Sequence, residues 1–183
     1  MTRIISGHYR GRRLTVPEGR DIRPTTDRMR ERLFSMLTHS RYPTMQDAKV
    51  LDLFAGTGAL GLEALSRGAA HVTFVEKARA SLACIKGNIE ALKAQDACTL
   101  MPLDASKLPP AKEAFDIIFM DPPYRQGLVS PTLSTVLEGH WLAAGGVIVC
   151  ELATDDASEL PPSLQILDDR RQGQQRVIFL THA

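Results

Sequence analysis

Apolar residues recur along this chain with two different periods, and the period switches every ten to fifteen residues. Around residues 3–17, Ile4, Ile5, Leu14 and Val16 flank Gly7 and Gly11, the pattern of a short hairpin. Met29, Leu33, Met36 and Leu37 then fall on one helical face. They predict an amphipathic helix over 27–38, entered through the helix-start cluster Arg23-Pro24-Thr25-Thr26-Asp27. A polar loop over 40–47 follows. Beyond it, short apolar runs at 49–54, 71–76, 98–103, 115–120 and 146–152 predict strands. Helical patterns at 60–67, 78–94 and 129–137 separate most of them, the first stopping at Gly68. Strands separated by helices pair in parallel through right-handed crossovers. Two closing runs, 164–168 and 176–180, lie close enough to form an antiparallel pair. The predicted fold class is α/β: a three-layer sandwich with a mostly parallel sheet, a C-terminal antiparallel pair, and a small N-terminal β-hairpin and helix.

Composition narrows the classes. With 183 residues, 44% apolar and 23% charged, the chain is neither disordered, collagen-like nor a coiled coil. No apolar run approaches bilayer length, and MTRIISGHYRGRR lacks a signal-peptide core, so a cytoplasmic protein is expected. Cys84, Cys98 and Cys150 have no metal-ligand or disulfide spacing, so neither a zinc site nor a disulfide framework is expected. Charge is unevenly spread. Residues 1–42 carry ten arginines, no lysine and four acids, a net of +6, whereas the remainder is −5. This divides the chain into a basic appendage, 1–42, suited to a polyanion, and a main domain, 43–183.

Candidate chemistry sits in two turns. Asp52-Leu53-Phe54-Ala55-Gly56-Thr57-Gly58-Ala59-Leu60-Gly61 places GxGxxG between a predicted strand and a predicted helix. Glycines there permit a tight turn and close backbone approach, and the helix N-terminus offers free N–H groups. Glu76, at the end of the next strand, is placed to accept hydrogen bonds from ribose hydroxyls. Asp52 is out of place beside a pyrophosphate but suits a ligand with a positive amino group, as in S-adenosylmethionine. The second turn is Asp121-Pro122-Pro123-Tyr124, after the strand at 115–120. Two prolines stiffen it, and strand carboxyl ends line the ligand crevice of open α/β sheets. A side-chain oxygen on Asp121 and the Pro122 carbonyl match the two hydrogens of an exocyclic amine, and Tyr124 offers a stacking face.

These motifs resemble known ones. DxFxGxGxxG is similar to motif I of class I (Rossmann-like) methyltransferases. That resemblance implies S-adenosyl-L-methionine contacts at Asp52, Phe54, Ala55, Gly56, Thr57, Gly58, Gly61, Glu76 and Lys77. It also implies an adenine contact at Asp104, with its neighbour Ala105. DPPY resembles motif IV of methyltransferases acting on exocyclic base amines, which implies catalytic roles for Asp121, Pro122, Pro123 and Tyr124. The order R-I-I-x-G-x-x-R-G-R-x-L, R-P-T-T-D-R-x-R-E-x-L-F, DLFAGTGALGLEAL and DPPY resembles the bacterial small-subunit ribosomal RNA (guanine-N2)-methyltransferase D family across nearly the whole chain. It implies methylation of one guanine N2 in 16S rRNA, in an assembling or assembled 30S subunit. RNA contacts are implied at Arg10, Arg12, Arg13, Arg23, Thr25, Thr26, Arg28 and Arg30. Nothing in the sequence demands more than a monomer. Three alternatives stay open: a DNA adenine-N6 methyltransferase, which shares both motifs; a non-catalytic RNA-binding or assembly protein; and a nicotinamide-dependent oxidoreductase.

Overall fold

The computed structural model describes residues 2–17, 27–39 and 41–183. The chain opens with β1 (Thr2–Arg3) and β2 (Arg13–Leu14), a two-stranded antiparallel hairpin, followed by helix α1 (Asp27–Met36). The main body runs β3 (Lys49–Leu53), α2 (Ala59–Ser66), β4 (His71–Val75), α3 (Arg79–Leu92) and β5 (Cys98–Met101). It continues through β6 (Phe115–Met120), α4 (Val129–Glu138), β7 (Leu142–Ala153), β8 (Leu164–Gln172) and β9 (Gln175–His182). Seven strands form one sheet in the order β5-β4-β3-β6-β7-β9-β8. The first five are parallel, while β9 runs antiparallel to both β7 and β8.

Strand runs such as Val50-Leu51 and Ile117-Ile118 are apolar at successive positions because both sheet faces are covered. Val50, Phe74, Ile117 and Phe119 pack on one side with residues of α1, α2 and α3. Leu51, Val75, Ile118 and Met120 pack on the other with Leu133 and Val136 of α4. Trp141, stacked on Phe115 with ring centroids 5.8 Å apart, closes the second layer.

The N-terminal hairpin is docked on this body. Ile4, Leu14, Leu33 and Phe34 belong to the same buried cluster as the sheet. Buried Glu63 of α2 accepts the Ile5 and Ser6 amides at 2.7 and 3.0 Å, and Ser66 Oγ accepts the Tyr9 amide at 2.9 Å. Gly7, at φ +83°, passes so close to α2 that a Cβ would lie 1.8 Å from the Ser66 carbonyl oxygen. No helix among the described residues is long and apolar enough to cross a membrane.

The strand order fixes where a ligand can sit. From β3 the chain steps outward through β4 to β5, then returns to place β6 on the other side of β3. The β3/β6 junction is therefore the topological switch point, where a crevice opens at the carboxyl edge.

Candidate active site

Parallel register aligns four strand ends. Leu53 pairs with Val75 on one side and Met120 on the other, and Met120 pairs with Cys150. The next residues, Phe54, Glu76, Asp121 and Glu151, all line one cleft of about 630 Å³. The two turns singled out in the sequence thus face the same space, one at each side of the switch point.

The glycine turn is held open by left-handed backbone at Phe54 (φ 59°), Gly56 (φ 58°) and Gly58 (φ 77°). For a phenylalanine this conformation is costly, and such strain collects at functional turns. Gly58 could not take a side chain easily, since a Cβ would lie 3.3 Å from the Phe74 ring. Glu76 pins the turn from the neighbouring strand. Its carboxylate accepts the amides of Gly56 at 2.9 Å, Lys77 at 2.8 Å and Ala78 at 2.8 Å. Asp52 is buried at the end of β3 and accepts the Gly61 amide at 2.9 Å. Burial pushes its carboxyl from 3.8 up to about 8, against the stabilising Gly61 hydrogen bond and with a smaller upward push from the Glu76 charge. Ala55, Thr57 and Ala105 also line the cleft.

Three residues assigned from the sequence have other partners in the fold. Gly61 packs against the strand below it rather than lining the cleft. A Cβ there would lie 2.4 Å from the Phe74 ring and 2.8 Å from Val72, so the missing side chain lets α2 approach β4. Asp104 sits between the cleft residues Leu103 and Ala105, and its carboxylate is engaged within the chain. Oδ1 accepts the Ser106 amide at 3.0 Å and its hydroxyl at 2.7 Å, and Oδ2 pairs with Lys77 at 3.0 Å. Those bonds, led by the Ser106 hydroxyl, hold it near 2. Its neighbours Leu103 and Ala105 form the wall instead. Arg30 is fully buried. Its Nη2 donates to the Arg3 carbonyl at 2.7 Å and to Asp27 Oδ1 at 2.8 Å, clamping hairpin to helix, while Nε and Nη1 are buried without a hydrogen-bond partner among the described residues.

On the acceptor side, Asp121, Pro122, Pro123 and Tyr124 all border the cleft, and Arg125 behind them is left-handed (φ 60°). The Tyr124 hydroxyl donates to Glu151 Oε1 at 2.9 Å, and Gln175 Nε2 donates to the same oxygen at 2.9 Å. Burial first, and the adjacent Glu151 charge second, push the Tyr124 phenol well above its usual range. The ring is thereby fixed in its neutral, hydrogen-bond-donating form.

Sequence reasoning missed Glu151 and Gln175. Glu151 carries a usable signal: an acid directly after the apolar run 147–150, in the same position as Glu76 after β4. Gln175 has none, because the β8–β9 turn alone brings it there. Val16 and Pro17 also border the cleft. Asn88 of α3 places them: its Oδ1 accepts the Thr15 amide at 2.8 Å, and its Nδ2 donates to the carbonyls of Thr15 and Thr57, both at 3.1 Å. The hairpin strand therefore continues into the wall of the cleft. Arg10, Arg12, Arg13 and Arg28 are exposed, while Arg23, Thr25 and Thr26 lie outside the described residues.

Comparison with known proteins agrees with this geometry. The family model described as conserved hypothetical protein 95 matches residues 2–181. Ribosomal RNA small subunit methyltransferase D of Escherichia coli strain K12 is 42% identical over 161 residues, spanning 88% of this chain and 79% of that protein. The protein of the same name from Haemophilus influenzae is 35% identical over 175 residues, 93% of this chain and 89% of that one. A solved Escherichia coli structure described as a methyltransferase superposes with a TM-score of 0.85 at 37% identity, covering 99% of this chain and 97% of the other. The sheet order and these neighbours make the fold that of the class I methyltransferases.

Proposed function

The chain belongs to the conserved hypothetical protein 95 family, which takes in the ribosomal RNA small subunit methyltransferase D proteins, and from that premise we propose that it transfers a methyl group from S-adenosylmethionine to the exocyclic N2 amine of a guanine in small-subunit ribosomal RNA. The observation that carries the reading is the meeting of the glycine turn and the Asp121-Pro122-Pro123-Tyr124 turn in one cleft at the switch point. Relatives that bear the name of an rRNA methyltransferase support the choice of acceptor.

The residues on the donor side fit S-adenosylmethionine. Buried Asp52 suits its ammonium group, Glu76 its ribose hydroxyls, and the apolar walls at Phe54, Leu103 and Ala105 its adenine. When bound, it supplies an electrophilic methyl carbon on a positively charged sulfur. Asp121 and the Pro122 carbonyl accept the two amine hydrogens, which orients the nitrogen lone pair and holds the proton that must leave. Tyr124 gives the base a flat face, and stacking of this kind contributes about 1–3 kcal/mol. Glu151 and Gln175 hold that face in place. Positioning of two reactants can lower a barrier by about 7–11 kcal/mol, so no covalent enzyme intermediate is required. On this reading residues 1–42 form the RNA-binding appendage, with exposed Arg10, Arg12, Arg13 and Arg28 contacting phosphate. The acceptor is the rRNA within a 30S particle, and the enzyme acts as a monomer in the cytoplasm.

The test is methyl transfer from labelled S-adenosylmethionine to under-methylated small ribosomal subunits, naked rRNA and duplex DNA, followed by digestion to nucleosides. N2-methylguanosine from the rRNA samples is the expected product. N6-methyladenine from DNA would overturn the acceptor, and absence of both transfer and cofactor binding would overturn the enzyme.

A further inference from the structure

The Asp121-Pro122-Pro123-Tyr124 turn suits an exocyclic amine, and guanine and adenine both carry one. What separates them is the ring nitrogen N1. In guanine it bears a hydrogen beside the N2 amine; in adenine it offers a lone pair beside the N6 amine. A site that prefers guanine needs an acceptor next to the amine-binding turn, one that N1–H can reach and that repels a lone pair.

Gln175 carries such a group. It is the first residue of β9 and stands opposite Ala153 of β7, two residues beyond Glu151. Residues opposite one another in an antiparallel pair share a sheet face, as do residues two apart on one strand. Gln175 and Glu151 therefore leave the sheet on the same side, and both line the cleft. Gln175 Nε2 and the Tyr124 hydroxyl both donate to Glu151 Oε1 at 2.9 Å, so the amide lies within two hydrogen-bond lengths of the phenol. Burial is the main upward push on that phenol, and Gln175 acts on it in the opposite sense, as an amide N–H beside it does. Asp121 stands alongside, because Met120 and Cys150 pair in register and Asp121 and Glu151 follow them on adjacent strands.

Glu151 decides which way the amide points. The oxygen that accepts the phenol hydrogen takes the NH2 end of Gln175, which turns the carbonyl end elsewhere. That carbonyl oxygen receives no hydrogen bond among the described residues. The side chain is half-buried. An acceptor of fixed orientation beside the Tyr124 ring meets the edge of a base stacked on that ring.

We propose that Gln175 determines base specificity: its side-chain carbonyl accepts the N1–H of the target guanine, and Glu151 holds it in that orientation. It rests on the reading of the protein as a methyltransferase acting on guanine N2, and it adds why adenine is refused there. Adenine in the same place would set its N1 lone pair against the carbonyl lone pairs. The amide cannot turn over to donate instead without giving up Glu151. The C-terminal hairpin, whose sequence carries no catalytic motif, thereby gains a role in choosing the base.

The test uses small ribosomal subunits reconstituted with rRNA in which the methylated guanine is kept or replaced by 2-aminopurine. That base keeps the N2 amine but has a lone pair at N1. Wild type, Gln175→Met and Gln175→Ala are compared by the ratio of kcat/KM on the two bases, with S-adenosylmethionine affinity and melting temperature followed in parallel. Wild type is expected to favour guanine by about 10- to 100-fold, the range for a matched hydrogen bond against an acceptor left unpaired. Both variants should lose most of that preference at unchanged cofactor affinity. A loss of rate that is equal on the two bases would make Gln175 a brace for Glu151 and Tyr124 alone, and would overturn the proposal. So would a wild type that methylates both bases equally well. A wild-type protein that forms no N2-methylguanosine from the guanine subunits would overturn the reading beneath it instead.

Discussion

On the donor side of the cleft, four backbone amides converge on two carboxylates: Gly61 on Asp52, and Gly56, Lys77 and Ala78 on Glu76. On the acceptor side a phenol and a side-chain amide converge on one carboxylate, Glu151. The donor half is made of main chain, and its partners lie within 20 residues of each other. The acceptor half is made of side chains from segments 24 to 27 residues from Glu151, brought together by strand pairing. A main-chain pocket is rigid and tolerant of outside change, which suits a ligand that is the same in every turnover. A side-chain pocket can be tuned to its substrate, which suits a base that must be selected and held against displacement.

That division can be broken by mutation. The largest effect belongs to the acceptor turn. Asp121→Ala removes a preorganised acceptor for the amine and should lower single-turnover methyl transfer by about 10²–10³-fold. Next comes Asp52→Asn, which keeps an oxygen for the Gly61 amide but deletes the charge. Loss of a charge-assisted hydrogen bond costs about 1.5–3 kcal/mol, so S-adenosylmethionine affinity measured by calorimetry should fall roughly 10- to 100-fold with rRNA affinity unchanged. A smaller effect is expected for Glu151→Gln, which can still accept from Tyr124 but loses the charge. It should lower turnover by about tenfold at unchanged cofactor affinity, and Glu151→Ala, which frees the ring, should lower it further.

Asp52 also gives the donor half a pH signature. Its buried carboxyl stays protonated up to about 8 in the free protein. Pairing with an ammonium requires the ionised form, so binding releases a proton below that value. Cofactor affinity should therefore climb from about pH 6 to pH 8 and level off, with the climb absent in Asp52→Asn. Stability of the unliganded chain runs the other way. The folded protein keeps this proton to about 8, whereas an unfolded carboxyl releases it near 3.8, so stability contributed by the group falls as pH rises through that interval. Thermal melts of wild type and Asp52→Asn across the same interval check the sign.

How much was legible follows from the same contrast. The strand–glycine–helix unit is local, so its residues announced both the fold and the turn. The alternation of strands and helices predicted the parallel sheet and the terminal antiparallel pair, with ends shifted by a few residues. β7 begins at Leu142 rather than 146 because Ala143, Ala144 and Gly145 lie in the sheet without an apolar pattern to mark them. Gly61 and Asp104 carried the right residue type for a binding motif, and only packing showed one under Phe74 and the other capping Ser106. Arg30 looked like its exposed neighbours, since no spacing rule reveals that the hairpin folds back over it. Glu151 could be read from the acid that follows the apolar run 147–150, although only the β6–β7 register gives it a place in the cleft; Gln175 depends on a hairpin turn and does not stand out in a linear reading.

The most direct test of the two-sided cleft is S-adenosylmethionine binding to the Asp121→Ala protein, titrated calorimetrically beside wild type. The account predicts a dissociation constant within about twofold of wild type in a protein that no longer transfers methyl groups. A cofactor affinity that falls together with transfer would contradict it, because the two sides would then be one site.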